Sequence, residues 1–370
     1  MMTPVIPPVR IAFAGCGNVL SAYLPAVEQL RRQGLVELIA LSDRQIHRDR
    51  VRELGASAFF VDYDEMIRRA DIDAVVILTP MPIHAAMARA ALRAGKHVLV
   101  EKPMATNLDE GRELLSLARA SGRFLVCAPF TLLSPTFQTI AARLCRGDIG
   151  KVVSARGRYG WTGPDWADWF YKAGGGALFD LGVYNLTTLT GWLGPVRRVM
   201  AMAGIAVPQR NINGHPIQVE AEDNVQVLLD FGGSCFASVM TGFTIQQYRG
   251  PGLELYGTEG TIYLLCDDWD PDGYEIWQNA AGCWQYFKET QPDWSWTDGL
   301  RHLVECIRKR TPPLVTPEHA FHVLEVMFQA QASARDGQAR LIDSTFTPPT
   351  FEQAITTVAA HRIHDRTRTE

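Results

Sequence analysis

The clearest chemistry lies near the start of the chain, where Gly15-Cys16-Gly17-Asn18-Val19-Leu20 follows the β-rich run Val9–Ala14 and opens a helix-forming stretch. Glycines at these positions let backbone N–H groups approach a phosphate at the positive end of a helix. Gly15 allows the tight turn and Gly17 the close approach, with Cys16, Asn18 and Val19 lining the same turn. Position 20 is Leu where the fingerprint GxGxxG has Gly or Ala, which predicts a looser helix–strand contact. At the end of the next apolar run stands Asp43, whose carboxylate can accept hydrogen bonds from both hydroxyls of an adenosine ribose and repels a 2′-phosphate. NAD is therefore expected over NADP, although Arg44, able to hold a phosphate or stack on adenine, leaves NADP open. Asp43 equally suits the N-cap of a helix starting at Arg44.

The elements around these residues alternate. Strands are expected at Val9–Ala14, Leu35–Leu41, Ala58–Phe60, Ala74–Leu78, His97–Val100 and Arg123–Cys127, with helices at Asn18–Gln33, Arg44–Leu54, Asp64–Ala70, His84–Ala94 and Thr106–Ala120 between them. That alternation demands a doubly wound parallel sheet, a Rossmann arrangement. Thr79, Pro80 and His84 follow one strand and Glu101-Lys102-Pro103 another, at the carboxyl edge where such sheets bind ligands. After about Ala128 a helix, Ser134–Arg146, leads into longer strands at Lys151–Tyr159, Val225–Asp230, Ser234–Thr241, Leu253–Tyr256, Thr261–Leu265 and Tyr274–Trp277, with turns expected at Gly257–Gly260 and Pro271–Gly273. Helices return at Asp298–Lys309 and Pro317–Asp336. The fold class is α/β: a Rossmann domain over 1–128, an α+β domain with a large, mostly antiparallel open sheet over 129–345, and a polar tail over 346–370.

Composition narrows the function classes. With 370 residues, 47% hydrophobic and 21% charged and a formal charge of −4, the chain reads as soluble and two-domain, suited neither to nucleic acid nor to a membrane surface. No stretch of about 18 apolar residues and no signal-like segment occurs, so a cytoplasmic location is expected. The seven cysteines are spread and never spaced CxxC, and the nine histidines lack HExxH spacing, so neither disulfides nor a metal is expected.

Several motifs together resemble the glucose-fructose oxidoreductase, inositol dehydrogenase and rhizopine catabolism family, Gfo/Idh/MocA. They are Gly15–Asn18 (GCGN), Thr79–His84 (TPxxxH), AGKHVLVEKP at Ala94–Pro103, the run Gly174-Gly175-Gly176 through Asp180 and Tyr184, and Leu255–Thr261 (LYGTEGT). The resemblance spans nearly the whole chain. It implies an NAD(P)-dependent oxidoreductase acting on a sugar, sugar derivative or polyol, and assembly as a homodimer or homotetramer. Where inositol dehydrogenase-like members have histidine at the position of Tyr184, this chain follows the branch with tyrosine.

In that setting Lys102 is expected beside the nicotinamide. Asp180 and Tyr184, four apart in the helical segment Leu178–Trp192, are expected on one face, behind a glycine run that lets backbone approach cofactor or substrate. Removing a hydride from a secondary alcohol also requires a base for the hydroxyl proton. A phenol with a pKa of ~10 needs help at neutral pH, and a nearby ammonium supplies it. Tyr184 is thus read as acid/base, Lys102 as its electrostatic partner and Asp180 as a substrate orienter, with Lys102 as base the alternative. The aromatic segment Tyr159–Tyr171, with Trp166 and Trp169, suits the faces of a sugar ring and equally suits packing within its own domain. Two further activities stay open: a redox-assisted glycosidase working through a transient keto-sugar, and a non-catalytic sensor on the same fold.

Overall fold

The computed structural model describes residues 6–44, 51 and 54–351, and the backbone of 361–362. The helix expected over Arg44–Leu54 falls largely outside the described residues. The chain divides into two compact units, one of Met1–Phe130 with Thr297–Phe321 and the other of Thr131–Trp296 with His322–Glu370.

The first unit is built on six parallel strands, β1 (Val9–Ala14), β2 (Val36–Ser42), β3 (Ala58–Phe60), β4 (Ala74–Ile77), β5 (His97–Val100) and β6 (Leu125–Cys127), in the order β3-β2-β1-β4-β5-β6. β4 and β5 are apolar at nearly every position because helices cover both faces of a parallel sheet. The strand order reverses between β1 and β4, which places the ligand crevice at their carboxyl ends. A single cut after residue 128 misses one element. Helix Gly299–Lys309 buries Leu300, Leu303, Val304 and Cys306 and packs on β1, β5 and β6, so it belongs to the first unit.

The second unit carries a ten-stranded sheet among the described residues. Its strands are β7 (Val152–Gly160), β8 (Arg198–Gly204), β11 (Asn224–Gly232), β12 (Cys235–Gly242), β13 (Leu253–Gly257), β14 (Gly260–Asp267), β15 (Asp270–Gln278), β16 (Cys283–Lys288), β17 (Arg340–Leu341) and β18 (His361–Arg362). Only β12 and β7 pair in parallel; the other pairings are antiparallel. A separate hairpin, β9 (Gln209–Ile212) with β10 (His215–Gln218), stands apart from it. On β11 the inward Val225, Val227 and Leu229 are buried while Leu228 is 59% exposed, and Met202 on β8 and Phe236 on β12 are also exposed, so one face is open.

Three local expectations change. Pro271–Gly273 lies inside β15, not in a turn; the reversal is made by Asp268-Trp269, and a register shift near Cys266 absorbs the proline. Leu178–Gly182 is a π turn that passes into an α-helix, Val183–Leu193, so Asp180 and Tyr184 are offset from strict α-helical stacking. The expected tail is docked at its start, where Phe346 and Phe351 are buried, the latter edge-on to Phe137.

Candidate active site

In the first unit the glycine turn is fixed by sterics. Gly15 has φ +93°, and a Cβ there would lie 2.8 Å from the Leu78 carbonyl carbon and 2.9 Å from Thr79 N. Only glycine lets the loops after β1 and β4 abut. Gly17 caps helix Asn18–Arg32 without a side-chain bond, the first turn holds no acidic residue, and a Cβ on Gly17 would meet nothing within 4 Å. The mouth, with Asn18 and Val19 exposed beside it, is an open cradle of backbone N–H groups at a positive helix end, which fits a pyrophosphate. Asp43 Oδ2 accepts from Cys16 N at 2.7 Å, so this carboxylate holds the turn itself, and Arg44 is exposed next to it. The looser contact expected at Leu20 is absent: Leu20 is fully buried and fills the space beneath the helix.

Glu101 follows β5 and is buried. Its Oε1 accepts from Tyr23 Oη at 2.7 Å and its Oε2 from Lys102 N at 3.2 Å. The carboxylate thereby sets the backbone from which Lys102, partly exposed, projects. Sequence reasoning missed Tyr23. The signal was a tyrosine on the inward face of the first helix, since a buried phenol needs a partner. His84, expected at the cofactor, is buried with Nδ1 2.8 Å from Pro103 O and Nε2 2.6 Å from Thr79 O. It ties the loop after β4 to the loop after β5 and so positions both. Burial, the larger influence, holds its pKa below the ordinary value, while the two carbonyls pull it up. Thr79 is partly exposed and Pro80 exposed at the rim.

In the second unit Tyr184, half-buried, sets its ring edge-on to Tyr159, with centroids 5.7 Å apart. Asp180 is 9% exposed in the π turn. Burial, then the charges of Asp267 and Asp180, push the Tyr159 phenol far up, so it stays protonated. The structure thus gathers Tyr159, Asp180 and Tyr184 and adds residues the sequence did not single out: Asn185, Tyr248, Asp267, Asp268 and Trp269. No local pattern marks them, because they meet only once β14 and β15 have paired.

The aromatic segment packs within its own unit. Trp161 stacks on Trp166 and Trp169 on Phe170, and these rings sit against a small core of Phe170, Tyr171, Ile212, Val219 and Phe243 supplied partly by the β9–β10 hairpin. Trp166 remains 46% exposed and Trp169 partly so. The glycine run follows the same logic. A Cβ on Gly175 would strike Trp169 O at 2.5 Å, and one on Gly176 would press on Glu222, so these two glycines serve packing; Gly174 alone of the three faces open space.

Among the described residues no cluster of three metal-ligating side chains occurs, and no helix is long and apolar enough to cross a membrane.

A family model described as "Oxidoreductase family, NAD-binding Rossmann fold" matches residues 9–128, and the Gfo/Idh/MocA C-terminal domain model matches 137–263. Trans-1,2-dihydrobenzene-1,2-diol dehydrogenase of Macaca fuscata fuscata is 28% identical over 329 residues, 85% of this chain and 94% of that protein. An NAD binding oxidoreductase from Klebsiella pneumoniae superposes with a TM-score of 0.81 at 24% identity, covering 91% of this chain and 99% of that one. The WlbA dehydrogenase of Bordetella pertussis, solved with NADH and UDP-GlcNAcA, gives a TM-score of 0.76 at 21% identity over 91% and 99%. Sheet order, glycine cradle and matched models define an enzyme class, the NAD-binding oxidoreductases. The chain belongs to the Gfo/Idh/MocA family.

Proposed function

We propose that the protein transfers a hydride between NAD and a secondary alcohol of a sugar, sugar derivative or polyol. The observation that carries this reading is the grouping of Tyr184, Tyr159 and Asp180, a phenol pair beside a carboxylate, in a chain whose other unit has the open glycine cradle. The Gly15–Val19 turn and Asp43 would hold NAD, which when bound would supply the hydride acceptor. Tyr184, ionised as a phenolate that the Lys102 ammonium stabilises, takes the hydroxyl proton and becomes a neutral phenol as the hydride leaves carbon, and Asp180 accepts a hydrogen bond from a neighbouring substrate hydroxyl. Asp43 favours NAD over NADP through its acceptor oxygens and its charge. The diol and nucleotide-sugar ligands named for the relatives support the substrate class.

The open sheet face, with Met202, Leu228 and Phe236 exposed, suits a second copy of this chain, and seven widely spread cysteines, never spaced CxxC, suit a reducing cytoplasm. The test is a panel of sugars, polyols and dihydrodiols incubated with NAD, following reduced-nicotinamide absorbance and product identity. Ketone formed in step with NADH is expected. Glycoside cleavage without net NADH would replace this reading with the redox-assisted glycosidase, and no turnover of any member with unchanged NAD binding would leave a sensor.

A further inference from the structure

The turn between β14 and β15 buries a carboxyl group that the chemistry above does not use. Asp268 is 2% exposed, and its Oδ2 accepts from Thr188 Oγ1 at 2.8 Å and from Asn185 Nδ2 at 3.2 Å. Among the described residues no cation pairs with it, and Asp267 next to it adds like charge. Its other oxygen, Oδ1, is buried without a hydrogen-bond partner, and so is Asn185 Oδ1. Asn185 is held in place: a Cβ on Gly157 of β7 would lie 3.1 to 3.2 Å from its Cβ, Cγ and Oδ1, so that strand packs directly on the amide. With Asp268 ionised, the two side chains, already joined by one hydrogen bond, hold two unpaired acceptors out of water, an arrangement native interiors avoid. With Asp268 protonated there is one O–H to give and one orphaned acceptor on the same partner to receive it.

We infer that Asp268 is a neutral carboxylic acid that donates from Oδ1 to Asn185 Oδ1, closing a two-bond acid–amide pair that positions Tyr184. Tyr184 is the residue before Asn185, and Trp269, the residue after Asp268, packs on the same Tyr159 ring that Tyr184 touches, with centroids 6.3 Å apart. The pair therefore ties the helix to the turn around Tyr159 without adding a negative charge beside a phenol that must ionise. The other titratable groups around it are Asp267, Tyr248 bonded to Asp267, Tyr159 and Asp180, with Arg158 over the Tyr248 ring. Burial pushes the Asp268 acid up to about 7, in the direction the geometry requires. A carboxyl pKa raised on folding contributes stability that is full below the unfolded value of ~4 and lost as pH rises through the folded one.

The experiment compares wild type with Asp268→Asn and Asp268→Ala. Infrared spectra at about pH 5.5 are expected to show a protonated-carboxyl carbonyl band in wild type that disappears in Asp268→Asn. Asp268→Asn presents the same donor and acceptor without titrating. It should match wild type in Tm at acid pH and exceed it at about pH 8, whereas Asp268→Ala melts lower throughout. Absence of the band, or equal melting of the two variants, overturns the neutral acid. The positioning clause rests on the Tyr184 assignment and is read separately. Asp268→Ala should lose about tenfold in kcat with KM nearly unchanged and Asp268→Asn should restore it; an unchanged kcat in Asp268→Ala overturns positioning while the infrared result stands.

Discussion

The candidate groups of the two units are brought together in different ways. In the first unit each group sits just beyond the carboxyl end of a parallel strand: Gly15 after β1, Asp43 after β2, Thr79 two residues past β4 and Glu101 after β5. The sheet itself brings them together, and backbone N–H groups line the glycine turn. In the second unit the site is made of side chains from distant segments, Tyr159 on β7, Asp180 and Tyr184 around a π turn, and Asp268 at a hairpin reversal. The difference teaches that cofactor capture depends on chain path and the chemistry on side-chain placement, so mutations should separate them.

The largest effect follows from that separation. Tyr184→Phe should lower kcat by about 10²–10⁴-fold, the range for a lost acid/base, while NAD affinity stays within about twofold of wild type. Lys102→Met should fall as far; if it retains turnover, Lys102 is neither phenolate partner nor base. Stopped-flow NADH formation and NAD titration by fluorescence read the two quantities apart. Gly15→Ala inverts the pattern. It places a Cβ at φ +93° within 2.9 Å of three backbone atoms, so the turn must shift, at a cost of about 2–4 kcal/mol of stability and at least about tenfold in NAD affinity. Calorimetry of the apo chain with NAD titration checks it; normal NAD binding would show that the cradle tolerates a shifted turn.

What could be read from the sequence follows the same division. β1, β3, β5 and helix Pro317–Asp336 lie where hydrophobic pattern and glycine stops place them, and the dinucleotide turn is visible in its strand–glycine–helix context. β8, β16 and the β9–β10 hairpin were not read as strands. β8 alternates Val199 and Ala201 inward with Met200 and Met202 outward, and outward methionines on an open face erase the polar half of the pattern. The Pro271-Asp272-Gly273 triplet looked like a turn because its residue types say so, yet the flanking register carries it inside β15. Asp180 and Tyr184 stood out through the motif, but Asn185 and Asp268 acquire meaning only from each other, and no spacing rule links them.

Acid should loosen both units through one histidine in each. His97 Nδ1 accepts from Phe124 N at 3.0 Å, and His322 Nε2 accepts from Val196 N at 2.9 Å; burial, as the main cause, lowers both pKa values to about 4. Both are depressed below the unfolded value of ~6.5, so their contribution is present above ~6.5 and lost as pH falls through the folded value. Each should be worth on the order of 2 kcal/mol across that window. His97→Gln and His322→Gln should flatten the acid limb of Tm against pH, each by about half; a limb unchanged in the double variant would assign acid sensitivity to other groups.

The smallest effect tests whether backbone placement in the first unit needs any long-range side-chain support. Tyr23→Phe removes only the hydroxyl that donates to Glu101 Oε1 and leaves the ring edge against Phe13 intact. The buried carboxylate then keeps Lys102 N but loses its phenol donor, which should cost about 1–2 kcal/mol of stability. Because Glu101 sets the backbone from which Lys102 projects, kcat should fall by about three- to tenfold while NAD affinity holds. Tyr23→Phe combined with Glu101→Gln should recover part of the stability, since a neutral amide tolerates the missing donor better than a carboxylate does. If Tyr23→Phe alters NAD affinity and spares kcat, Glu101 supports the cofactor cradle and not Lys102, and cofactor capture in the first unit depends on side-chain placement as well as on chain path.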